Sequence, residues 1–222
     1  MKLNHKSHSL LKMYDIILYL MALSFILSSG SMYTVITDYY DAGITDSLFV
    51  KIFCVVGFIY WILLVSKKNK IKINALIFPL AVAAFFAIYL LFTGIAVMPC
   101  ISQMVLPFAL LFMICAQEGS KLFLEKFFDK YSQIMSLIAI VSLVFYFLGT
   151  LGGMLPKSEI QYYNNRWTYS CYSYFNIYFE NPLQNLSYAP RNVGVFMEAP
   201  GFAIALIYAL FWNLVKEKKN KF

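Results

Sequence analysis

The sequence predicts an all-α integral membrane protein with about six transmembrane helices and one large extracytoplasmic loop between helices 5 and 6. Three observations predict it. Of 222 residues, 61% are hydrophobic and 13% charged, whereas soluble domains carry about 45–50% apolar and about 25% charged residues. The apolar residues come in runs near 20, about the length a helix needs to cross the hydrocarbon core of a bilayer. The lysines punctuate these runs and form no basic face, which argues against nucleic acid as a partner despite a net charge of +7. Backbone in lipid must bond internally, and the dyad alternation of a β-barrel is absent, so the spans are read as helices.

The elements follow in order. The first span, 13–35, comes after Lys2, Lys6 and Lys12 and ends on small residues, "SSGS" at 28–31. That layout resembles a signal peptide, but the run is long for one and five more spans follow, so a retained helix is expected. The second span is 47–65, with Lys51 near its end and able to snorkel. Spans 75–97 and 101–116 are separated by a short "MPC" turn. The segment 117–133 places Leu122, Phe123, Phe127, Phe128 and Tyr131 at helical spacing opposite its charges, which predicts a short amphipathic helix on the inner membrane surface. Spans 134–151 and 193–215 flank the loop 152–192. No soluble domain or repeat is visible, and 1–222 reads as one transmembrane domain.

The positive-inside rule orients the chain. With the N-terminus in the cytoplasm, 14 of the 18 basic residues fall on that side, and both termini lie inside. Of the four cysteines, Cys54 and Cys115 read as apolar packing residues. Cys100 and Cys171 both face outside, where a disulfide is the lesser alternative. No metal-ligand spacing is present.

The outer loop is rich in aromatic residues. Seven tyrosines, Trp167, Phe175 and Phe179 fall within 156–190. Thr168, Ser170, Ser173 and Asn176 recur mostly at threes, opposite Trp167, Cys171, Tyr174, Phe175 and Tyr178. This pattern predicts an amphipathic helix over 167–179, ended by Asn181-Pro182, while the alternation at 167–172 also admits a short strand. The rings suit either an interfacial aromatic belt or a platform on which sugar faces stack.

The chain has sixteen lysines and two arginines, Arg166 and Arg191, both in this loop. Arginine offers a planar, permanently charged fork suited to phosphate or carboxylate, and ionisable groups at the hydrocarbon edge are functional candidates. Glu198 lies seven residues after Arg191, on the same face if the segment is helical. Pro200-Gly201 would then break or re-aim that helix. An Arg191–Glu198 ion pair that anchors a helix end is the structural alternative.

The segment "RNVGVFMEAPGFA" (191–203) resembles the R-x-x-G-x-F-x-E-P-type segment of bacterial O-antigen and capsular polysaccharide polymerases and O-antigen ligases. The matching positions are Arg191, Gly194, Phe196 and Glu198; Ala199 intervenes before Pro200. The match covers about a dozen residues. The resemblance implies an inner-membrane glycosyltransferase that takes an undecaprenyl-pyrophosphate-linked oligosaccharide as donor, with no metal and no cofactor. A chain-length regulator or a flippase would be its partners. It implies Arg191 and Glu198 as catalytic, the first neutralising the departing pyrophosphate and the second an acid/base or an orienter of Arg191. Arg166, Gly194, Trp167 and Tyr174 would bind substrate. Members of that family commonly have ten or more spans, and its ligases use an outer histidine; His5 and His8 lie on the cytoplasmic side. The expectation is therefore the N-terminal part of a longer enzyme. The alternative is a non-enzymatic membrane protein, such as a transporter or flippase fragment of an envelope pathway.

Overall fold

The computed structural model describes residues 4–28, 31–33, 48–66, 73–93, 105–117, 120–164, 167–181, 191–196 and 199–220, some of them by backbone alone. They are mostly helical: α1 (Asn4–Ser28), α2 (Leu48–Ser66), a 3-10 turn (Ile73–Leu76) leading into α3 (Ile77–Thr93), α4 (Leu106–Cys115), α5 (Ser120–Phe145) with a π-helical end (Tyr146–Leu151), and α6 (Ala199–Asn220). Four strands stand between α5 and α6: β1 (Ser158–Asn164), β2 (Trp167–Tyr174), β3 (Tyr178–Asn181) and β4 (Arg191–Asn192). Pro79, Pro107 and Pro200 each fall in the first turn of a helix, where a missing N–H costs nothing.

Among the described residues, three helices are long and apolar enough to cross a membrane, over Leu48–Val65, Lys121–Leu151 and Ala199–Glu217. Met13–Ser28, Leu80–Thr93 and Leu106–Cys115 form shorter apolar helices. At 10 residues, α4 is about 15 Å long, half the thickness of a hydrocarbon core.

The chain divides into two compact units, Met1–Phe25 with Ile44–Lys130, and Ile26–Gly43 with Tyr131–Phe222. In the first, Leu18, Met21 and Ala22 on α1 and Phe53 and Tyr60 on α2 are buried with Leu110, Ile114, Phe123 and Phe127. These spacings of three, four and seven are one face of a helix. Rings lock the seams: Phe25 lies 5.8 Å from Phe53 and 6.0 Å from Phe127, and Tyr60 5.3 Å from Phe123. Lys130, largely covered, pairs with the exposed Asp15 at 3.7 Å.

The second unit holds the sheet. Its strands run antiparallel in the order β1-β2-β3-β4, with Ile160 opposite Cys171, Ser173 opposite Phe179 and Glu180 opposite Asn192. One face carries Cys171 and Phe179, buried with Met32 and Val193 and flanked by Tyr33, Ile160 and Ala199. The other face carries Tyr174, Tyr178 and Glu180 and packs on the end of α5: Tyr178 stacks on Phe145 at 6.0 Å, and Tyr174 lies over Gly149. Below the sheet α6 runs beside α5, where the Tyr131 and Ser132 hydroxyls donate to the carbonyls of Ala205 and Ala209.

Several expectations are corrected. The chain is not all-α, because 167–174 is a strand and not part of an amphipathic helix. Tyr, Thr, Trp and Cys there favour a pleated surface, and 158–164 supplies a partner ladder. The segment 117–133 is not a separate surface helix; from Ser120 onward it is the start of α5, since neither Gly nor Pro interrupts the chain before Gly149. The first helix stops at Ser28. Beyond it Ser31 donates its hydroxyl to the Leu27 carbonyl (2.6 Å) and its backbone bridges Phe196. The last span begins at Ala199 and not Val193, because 191–192 pair into the sheet and 193–196 form a turn that ends on a bridge to Ser31, and Pro200 starts that helix where a break was expected.

At Gly149 the end of α5 comes close to the sheet. A Cβ there would stand 2.7 Å from the Tyr174 ring, which is itself enclosed. Gly149→Ala is expected to destabilise this unit by about 1–3 kcal/mol, the usual cost of overpacking, read as a lowered thermal midpoint in detergent; an unchanged midpoint would show that the helix and sheet are not in contact there.

Candidate functional site

Residues 191–196 fold as a knot ahead of α6. Arg191 and Asn192 form β4, with Arg191 paired to Asn181. The Asn192 carboxamide oxygen Oδ1 accepts from Ser142 Oγ of α5 (2.5 Å) and from the Gly194 N–H (3.1 Å). Gly194 has φ +60, and a Cβ on it would lie 3.1 Å from the Phe202 ring and 3.2 Å from Ser142 Oγ. Both facts call for glycine. The Gly194 carbonyl accepts from Phe179 N–H (3.1 Å), and the Val195 carbonyl from Met32 N–H (2.8 Å). Phe196 is buried and stacks on Phe202 at 5.6 Å. Arg191 thus sits on a strand paired to β3 and followed by residues whose backbones are bonded. The helical spacing expected between Arg191 and Glu198 is absent, because strand and turn intervene.

The candidate residues divide as follows. Gly194 lies in the knot. Tyr174 is only 1% exposed and turns its hydroxyl inward. Trp167 opens β2 opposite Asn164, and Arg191 lies on β4, but their side chains lie outside the described residues, as do Arg166 and Glu198 altogether. Cys171 is a buried free thiol whose pKa burial pushes up to about 11; Cys100 lies outside the described residues.

Sequence reasoning missed Glu180. It is 8% exposed, and its Oε2 accepts from the Tyr174 hydroxyl (2.9 Å) and from Thr150 Oγ1 (3.2 Å). Thr150 lies in the π-helical end of α5, a rare turn that often marks function. Beside them the Tyr178 hydroxyl is fully buried and makes no hydrogen bond of normal geometry. Burial raises the Tyr174 pKa, and the bond to Glu180 and its charge add to that, against an opposing effect of Thr150. Tyr178 is pushed up to about 12, first by burial, with Glu180 adding and Thr150 opposing. One signal was available: Glu180 and Glu159 are the only acids in 152–192, and Glu180 sits inside an aromatic run where a solvated acid has little reason to be.

A cavity of about 170 Å³ lies beside the knot, lined by Leu137, Ile138, Val141, Ser142, Ile177, Gly194 and Val195. Its only hydroxyl, on Ser142, is already used by Asn192. Such a lining suits hydrocarbon and offers a sugar almost nothing to bond. Among the described residues no three His, Cys, Asp or Glu side chains gather to hold a metal.

No family model, curated protein or solved structure matches this chain.

Removing the phenol hydroxyl by Tyr174→Phe leaves Glu180 with one fewer donor and is expected to cost about 1–3 kcal/mol, read by thermal unfolding and absent in a Glu180→Leu, Tyr174→Phe double variant relative to Glu180→Leu alone, since leucine offers no acceptor. The tyrosines also set an alkaline limit. A phenol whose folded pKa exceeds the unfolded value of 10.0 contributes stability that is complete below that pH and is lost as pH rises toward about 12. Titration followed by tyrosinate absorbance and circular dichroism should show unfolding in that window, and Tyr178→Phe should move its onset to higher pH.

Proposed function

We propose that this chain takes part in polymerising or transferring undecaprenyl-pyrophosphate-linked glycans at the outer face of a bacterial inner membrane, crossing it six times with both termini in the cytoplasm. The reading rests on the resemblance of 191–203 to the polymerase and ligase segment. The observation that carries it is the seat of Arg191: a two-residue strand tied to β3 and, through Asn192, to α5, directly ahead of a helix of membrane length. A guanidinium that recognises phosphate gains from a rigid base, because the hydrogen-bond fork is directional. The first turn of α6 adds amides without intrahelical partners, which also favour anions.

In this reaction an acceptor hydroxyl forms a bond to the anomeric carbon of the donor glycan. The bond from that carbon to the phosphate oxygen breaks, and the lipid pyrophosphate departs with the electron pair. Arg191 offsets the charge growing on that oxygen, and Glu198 accepts the proton of the attacking hydroxyl or orients Arg191. Arg166 holds the second phosphate or a sugar, and Trp167 supplies a ring for sugar stacking. Tyr174 acts behind this surface, by holding Glu180 and with it β3.

The test uses the protein in its own host, with the chromosomal copy deleted and variants supplied in trans. Arg191→Lys keeps the charge but loses the planar fork, so long-chain glycan should fall by about a hundredfold or more while the amount of protein in the membrane stays unchanged. A full-length glycan ladder from Arg191→Lys and Arg191→Ala would end the proposal.

A further inference from the structure

The turn between β2 and β3 has the make-up of a segment built for lipid. The Ile177 N–H donates to the Tyr174 carbonyl (3.0 Å), closing a turn whose two central residues, Phe175 and Asn176, have φ of 54° and 56°. Glycine and asparagine adopt that conformation readily; a phenylalanine there is an outlier, of the kind retained where a side chain must be aimed. Phe175 is nevertheless 60% exposed and Ile177 47%. In water, a turn tip would more economically carry polar residues.

The surroundings give the depth of this tip. No charged residue occurs between Lys130 and Lys157, and residues 131–151 of the α5 rod span about 30 Å, the thickness of a hydrocarbon core. The hairpin descends along this rod. Glu180 meets Thr150, Tyr178 stacks on Phe145, the Phe175 ring lies 6.2 Å from Phe145, and Ile177 lines the cavity with Leu137, Ile138 and Val141. From Thr150 down to Val141 is about 14 Å along the helix. Leu137, Ile140, Leu143 and Val144 are exposed at the same level.

Non-helical backbone is tolerated at such a level only if its polar groups are satisfied within the protein. The tip meets that demand at the Ile177 N–H and at the Asn176 main chain. Asn176 N–H donates to Ser173 Oγ (3.1 Å), Ser173 Oγ donates to the Asn176 side-chain oxygen (3.0 Å), and the Asn176 carbonyl accepts from the Tyr33 hydroxyl.

We propose that the β2–β3 turn dips into the membrane, with Phe175 and Ile177 resting among the acyl chains of the leaflet around the C-terminal half of α5. The apolar cavity behind Ile177 continues that surface. This assignment needs only that α5 spans the bilayer and is independent of the glycan chemistry.

The test places a tryptophan at the tip, Phe175→Trp, in the full chain with its three native tryptophans changed to phenylalanine. The protein is reconstituted in phosphatidylcholine vesicles with or without bromine on the acyl chains, and iodide is present on both sides. Emission should be blue-shifted, lose most of its intensity to the brominated lipid and be insensitive to iodide, whereas Gln161→Trp on β1 should show the reverse. Iodide quenching equal to that of Gln161→Trp would place the tip in water and overturn the proposal. Protection from both quenchers would mean that protein covers it, which also overturns it. Should the tryptophan-free background fail to fold, Ile177→Cys with native tryptophans serves instead. It should react with a water-soluble maleimide far more slowly than Gln161→Cys, the parent chain supplying the background, and equal rates would refute the assignment.

Discussion

A carboxyl group that water scarcely reaches has to find its hydrogen bonds inside the protein, and Glu180 finds them in two elements at once. Tyr174 comes from the neighbouring strand and Thr150 from the end of α5. Leaving either donor out would strand a buried acceptor, which is costlier than never burying it. The small sheet is therefore registered against the helix by polar pairing as well as by rings. The π-helical end of α5 turns Thr150 toward the strand, and the missing side chain of Gly149 lets the Tyr174 ring lie close.

Once the sheet is fixed, β4 is fixed with it. Asn192 bonds to Ser142 and to the Gly194 amide, so the chain turns sharply at a residue that must be glycine and enters α6 from a defined direction. Arg191 inherits its position from this arrangement. A cation at the border of an apolar helix is costly to hold in place, and here the neighbouring backbone does the holding. The same anchored sheet carries the β2–β3 turn down the side of α5, so one polar pin orients both the arginine strand and the apolar tip.

The period-three pattern of polar residues over 167–176 misled because the end of β2 and β3 are covered on both faces. A strand with one wet face shows alternation, whereas burial on both sides removes it. Cys171 and Ser173 turn to the face covered by Met32 and Val193, while Tyr174 and Tyr178 turn to α5. The residue types alone do not reveal which surface covers which face. A helix running on from Arg191 is excluded for a related reason: Asn192, Gly194 and Val195 bond to partners distant in the chain.

Hydrophobic run length and the absence of dyad alternation indicated, from sequence alone, a mostly helical chain with helices long and apolar enough to cross a membrane and an aromatic loop ahead of α6. These features follow from local composition, since a bilayer selects for length and apolarity and for little else. Tertiary structure decided that the loop is a sheet, that Glu180 is its pin, that α5 runs unbroken from Ser120, and that Phe175 stays exposed at a turn. Each of these depends on pairs of residues far apart in the chain, and their energies exist only once the partners have met.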